Sequence, residues 1–131
     1  MSEFRVQQID HVEMFVPDRY EAAKWYRQML GLEIVSEFEF WADEGGPLMI
    51  AAGTTKLALF TGEPRGQHPT AGFHRVAFRV DGPGYVELCR RLGIPHEEAD
   101  HTKSWSVYFS DPYGHLLEVT TYDYEYVLAH R

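Results

Sequence analysis

The hydrophobic positions along this chain change period several times, and each change marks an element. IDHVEMFV (residues 9–16) alternates apolar and polar side chains, the pattern of a strand with two unlike faces. Pro17-Asp18 then opens RYEAAKWYRQML, where Ala22, Trp25, Tyr26 and Met29 recur at helical spacing until Gly31 stops the run. Short strands are expected at about 32–40, 47–52 and 56–61, the middle one introduced by Gly45-Gly46-Pro47. The Gly- and Pro-rich stretch TGEPRGQHPTAG closes this half as a loop.

The second half repeats the order. FHRVAFRV (73–80) is expected as a strand, DGPG leads into the helix YVELCRRL ended by Gly93, and strands follow near 95–100, 104–110 and 115–122. His11 and His74 stand 63 residues apart, each near the start of its strand, and each strand leads through an aspartate into a helix carrying Tyr20 or Tyr85. Leu30-Gly31-Leu32 matches Leu92-Gly93-Ile94 at a spacing of 62. Several matches at nearly one offset imply a duplicated β-α-β-β-β unit. The fold class is therefore α+β. Paired β-α-β-β-β modules are expected to form a concave, partly open sheet, with the ligand opposite the helices. The chain is expected to be one domain over 1–131, with module one at about 7–62, module two at about 72–122 and a tail at 123–131. In that tail, Tyr124, Val127 and Leu128 would form the apolar side of a short helix across a subunit boundary.

One residue breaks the apolar run of the last strand. In SDPYGHLLEVTTY, Asp111-Pro112-Tyr113-Gly114 is a turn, and Glu118 follows between Leu117 and Val119. A carboxylate in a half-buried strand needs a partner. His11 and His74, at matching strand starts, could join Glu118 in a facial metal site with open positions. The counterpart of Glu118 in the first module falls near Lys56 and Ala58, neither of which binds a metal as a carboxylate does.

Composition narrows the classes. With 44% hydrophobic and 15% aromatic residues the chain is globular rather than disordered. A net charge of −8 disfavours nucleic acid and anionic membrane surfaces as partners. The single cysteine, Cys89, excludes an internal disulfide and fits a reducing compartment; it falls on the apolar side of its helix, as core packing would require. MSEFRVQQID lacks the basic-then-apolar order of a signal peptide, and no apolar run approaches the roughly 18 residues of a membrane helix. A cytoplasmic location is expected.

IDHVEMFVPDRYEAAKWYRQMLGLEI, FHRVAFRVDG and YFSDPYGHLLEV together resemble the vicinal oxygen chelate superfamily over nearly the whole chain, the DP-x-G-H-x-x-E segment being the most specific part. That superfamily contains glyoxalase I, fosfomycin thiol transferases, methylmalonyl-CoA epimerases, bleomycin-resistance proteins and extradiol dioxygenases. The resemblance implies a homodimer and a divalent metal held by His11, His74 and Glu118, acting as a Lewis acid on neighbouring substrate oxygens. Glyoxalase I-type enzymes resemble one another in a second glutamate ligand, where this chain has Ala58. Fosfomycin enzymes carry a threonine and an arginine where this chain has Glu13 and Val127. Bleomycin-resistance binders lack the triad.

Extradiol dioxygenases share the triad and Tyr108, ten residues before Glu118, and carry an acid–base histidine near the position of His101. The best reading is thus an extradiol-dioxygenase-like metalloenzyme acting on a small, aromatic molecule, with Fe(II) favoured over Mn, Ni, Co or Zn. His101 and Tyr108 would move protons and steady the oxygen intermediate. A non-redox metal-dependent lyase, isomerase or thiol transferase, and a metal-free binding protein, are the alternatives. His115 should face away from Glu118, His68 and His96 fall in loops, and Glu13 shares the face of His11 and reads as solvent-exposed.

Overall fold

The computed structural model describes residues 4–66 and 68–131. The chain forms two compact units, Met1–Gln67 and His68–Arg131, each built on one four-stranded mixed, open sheet.

In the first unit the elements are β1 (Val12–Phe15), α1 (Arg19–Leu30), β2 (Glu33–Ile34), α2 (Phe40–Asp43), β3 (Leu48–Ala52) and β4 (Thr55–Phe60). The sheet order is β1-β4-β3-β2, with β1 parallel to β4 and the other pairs antiparallel. Asp18 caps α1 by accepting from the Tyr20 and Glu21 amides at 3.0 and 3.1 Å. At the other end Gly31 takes the left-handed conformation, φ 73°, and returns its N–H to the Arg27 carbonyl. One face of the helix buries Ala22 and Tyr26 beside Met14, whose sulfur accepts the Tyr26 hydroxyl at 3.7 Å. Leu57 and Leu59 of β4 complete that layer, each contributing about 1.5–3 kcal/mol by burial.

The expected strand at 32–40 is only two residues long here. A 3-10 turn at Ser36–Phe38 and the short α2 replace the rest. The physical reason lies in the aromatic spacing: Phe38 and Trp41, three apart, stack at 4.5 Å and 4°, a contact that helical turns permit and a strand does not.

The second unit repeats the order as β5 (Val76–Arg79), α3 (Gly82–Arg91), β6 (Glu97–Asp100), β7 (Trp105–Ser110) and β8 (Leu116–Thr121), followed by α4 (Tyr124–His130). Its sheet runs β5-β8-β7-β6, with β5 parallel to β8. Asp81 caps α3 through the Gly84 amide at 2.8 Å. Gly82 is required at the crossing of α3 and α4, because a Cβ there would meet Tyr126 and Asp123 at 2.8 and 2.9 Å. Val127 of α4 is fully buried, whereas Leu128, expected on the same apolar side, is 54% exposed.

Along β8 the side chains alternate. Leu117, Val119 and Thr121 are buried under α3, while Leu116, Glu118 and Thr120 occupy the opposite, open face.

Candidate functional site

The turn before β8 aims Glu118. Asp111, 4% exposed, accepts from the Tyr113 and His115 amides at 3.0 and 2.9 Å and from His115 Nδ1 at 2.6 Å. Its own amide donates to the His115 carbonyl, and Gly114 turns the chain at φ 91°. His115 therefore serves the turn and does not join Glu118.

Glu118 is half-buried on the open face, where among the described residues its one side-chain hydrogen bond comes from the Ser106 hydroxyl, 2.9 Å from Oε2. Directly across the ladder stands Tyr108 on β7, and on the other side Ala77 on β5. The Tyr108 hydroxyl is 2.9 Å from His101 Nε2. Arg75 reaches across β8 and lays its guanidinium 4.4 Å over the Tyr108 ring. The structure thus gathers Glu118, Tyr108, His101, Ser106 and Arg75 on one face, and the spacing reading had missed the last two.

His11 belongs to the first unit. Its Nδ1 meets Asp10 Oδ2 at 2.8 Å and its Nε2 meets Glu13 Oε2 at 3.0 Å, so Glu13, exposed as expected, shares its face and pairs with it. The Asp10 and then the Glu13 hydrogen bonds raise the pKa of His11 above its ordinary value of 6.5. Asp10 is in turn held below the usual carboxylate range by the hydrogen bonds from His11 and Lys56. A raised folded pKa means that His11 adds stability below about pH 6.5, and that this is lost as pH rises through the folded value. Histidine NMR titration should give His11 a midpoint above 6.5, and Glu13→Gln should lower it.

The ladders also decide which residues correspond between the two modules. Glu13 pairs with Ala58, and Ala77 pairs with Glu118. The last bonds before each helix are Val16 N–H to the Phe60 carbonyl and Val80 N–H to the Thr120 carbonyl. The strands themselves, Val12–Phe15 and Val76–Arg79, are 64 apart, while the helix caps Asp18 and Asp81 are 63 apart. The first module has one extra residue, Pro17, between strand and cap. Because strand faces alternate, an odd offset would reverse them, and only the even one keeps Met14 and Phe78 on the helix side.

The counterpart of His11 is then Arg75, and His74 corresponds to Asp10. His74 is exposed and precedes β5. Nor do Tyr20 and Tyr85 correspond: Tyr20 is exposed and donates to Glu39, whereas Tyr85 is buried and donates to Glu98.

The donor chemistry can be tested against a metal held by two imidazoles and a carboxylate. Among the described residues Glu118 keeps a free oxygen, which suits a cation. At the place corresponding to His11, however, Arg75 offers only N–H donors and stays protonated. Within each unit, among the described residues, no three His, Cys, Asp or Glu side chains gather as a metal-holding group. The residues on the second sheet do not fit that centre.

Other reactive side chains lie apart from this face. Cys89 lines a shallow cavity with Tyr85, Glu98 and Arg131 on the helix side, and burial pushes its thiol up to about 11, unsuited to a nucleophile. His68 and His96 are exposed and bonded locally, to Thr70 and to the Ile94 carbonyl.

Two open mixed sheets, each backed by a helix and carrying acid–base side chains on its free face, define a paired-module α+β protein. Residues 8–119 match the model of the Glyoxalase/Bleomycin resistance protein/Dioxygenase superfamily, and the chain belongs to that superfamily. Its fold is similar to that of a glyoxalase family protein from Bacillus anthracis, at 20% identity and TM-score 0.68 over 92% of this chain and 99% of that one. It is similar also to lactoylglutathione lyase from Agrobacterium tumefaciens, at 23% identity and TM-score 0.63 over 88% and 94%. A third similar structure is the oxidase ChaP-H2, at 19% identity and TM-score 0.66 over 89% and 94%. Among the described residues no helix is long and apolar enough to cross a membrane.

Proposed function

We propose that this protein is a small-molecule enzyme of the superfamily that works by proton transfer on the open face of the second sheet. The observation that carries the reading is the 2.9 Å hydrogen bond between His101 and Tyr108, with Tyr108 directly across the ladder from Glu118. In the proposed step Glu118 takes a carbon-bound proton next to a carbonyl or carboxylate. Tyr108 gives its proton to the substrate oxygen as negative charge builds there, and His101, exposed to solvent, returns a proton to Tyr108. The substrate gains one proton on oxygen and loses one from carbon. The step therefore needs no oxidant.

A second reading is favoured by one feature, the free oxygen of half-buried Glu118. In it, His11, His74 and Glu118 would hold a divalent metal, Fe(II) for dioxygenase-like chemistry on an aromatic substrate or Mn, Ni, Co or Zn for non-redox reactions. It requires His74 to take the place that the ladder gives Arg75. We further propose a cytoplasmic homodimer, since Phe4, Ile9 and Phe73 leave large apolar side chains exposed that a second copy could cover.

The test pairs elemental analysis of protein purified without oxygen or chelator with proton NMR of α-hydroxy and α-keto acids and phenols in D2O. Carbon–deuterium exchange that survives EDTA supports proton transfer. One metal per chain, lost in Glu118→Gln, overturns it in favour of the metal reading. Neither metal nor exchange overturns both and leaves a binding protein.

A further inference from the structure

We propose that the open face of β5, β8 and β7 binds a small organic carboxylate bearing a neighbouring hydroxyl, with Arg75 as the fixed cation. This rests on the reading that the same face is the reactive one. The register places Arg75 where the duplication calls for the counterpart of His11, so a permanent positive charge stands at the edge of the face.

Two features suit it to an anion. Arg75 is exposed and makes no ion pair among the described residues; its one interaction is the stacking over Tyr108, which fixes the guanidinium while leaving its N–H donors free. Arg79, four residues on and level with Thr120, is likewise exposed on that face and makes no ion pair among the described residues.

Between them Ala77 sits level with Glu118, and its single methyl leaves the space over the strand open. Glu118 repels a bare anion but accepts a hydrogen bond from a hydroxyl. A ligand that satisfies both groups carries a carboxylate toward Arg75 and a hydroxyl toward Glu118.

Mandelate and phenylacetate differ only in that hydroxyl and form the probe pair. Titration calorimetry in EDTA is expected to show mandelate binding at least tenfold more tightly than phenylacetate. Arg75→Ala should weaken mandelate at least tenfold, and Glu118→Ala should bring the two acids to similar affinity. Tyr108→Phe keeps the ring under Arg75, so mandelate affinity should fall by less than in Arg75→Ala, while carbon–deuterium exchange falls by about 10²-fold or more. Unchanged mandelate affinity in Arg75→Ala, equal affinities in the wild type, or no binding of either acid overturns the inference. Exchange that persists in Arg75→Ala with unaltered binding would sink this assignment alone and leave the proton-transfer reading standing.

Discussion

Tyr108→Phe is expected to lower the turnover seen as carbon–deuterium exchange by about 10²- to 10⁴-fold, the range for losing a positioned proton donor. The ring stays in place beneath Arg75, so the chain should lose no more than about 0.5–1.5 kcal/mol of stability with the His101 hydrogen bond. His101→Ala should fall in the same direction, and added imidazole should restore part of the rate, because His101 is exposed and its place is open to solvent. Rescue distinguishes a proton carrier from a residue that merely braces the strand. Exchange at the wild-type rate in Tyr108→Phe would remove the reading of this face as reactive.

Asp111→Ala should bring the largest loss of stability, about 3–5 kcal/mol by urea unfolding. The carboxylate is buried and accepts two backbone N–H groups and the His115 ring within five residues, all of which lose their acceptor together. Asp111→Asn keeps one acceptor oxygen and should lose less. The variant also tests how the site is aimed, since the turn delivers β8 with Glu118 outward and Leu117 inward. A loss of activity with unchanged unfolding free energy would mean that the turn positions the site without bracing the unit.

Much of the molecule was legible before any coordinates. The helices could be read because their signals are local: Asp18 and Gly31 cap α1 through atoms a few residues away. The Asp111-Pro112-Tyr113-Gly114 turn was legible for the same reason, and Glu118 stood out against its apolar neighbours. The segment 32–40 was misread as a strand because Phe38 and Trp41 choose a helical turn by stacking, a contact that alternation does not report. Glu13 is exposed, as expected from the sequence, and its contact with His11 is the part that spacing did not report.

The composition of the site divides the same way. Sequence by itself determined the duplication, through matches between the two halves, and the charge and the candidate carboxylate, through residue type and local pattern. Which residue of the second strand corresponds to His11 was decided only by tertiary structure. Two modules can match at 63 through their caps and at 64 through their strands, because Pro17 adds one residue between strand and helix. A single residue of slip in a strand exchanges its faces, so the count that matters runs from the ladder and not from the cap. The ladder puts Arg75, rather than His74, over Tyr108, and with it a guanidinium in place of an imidazole.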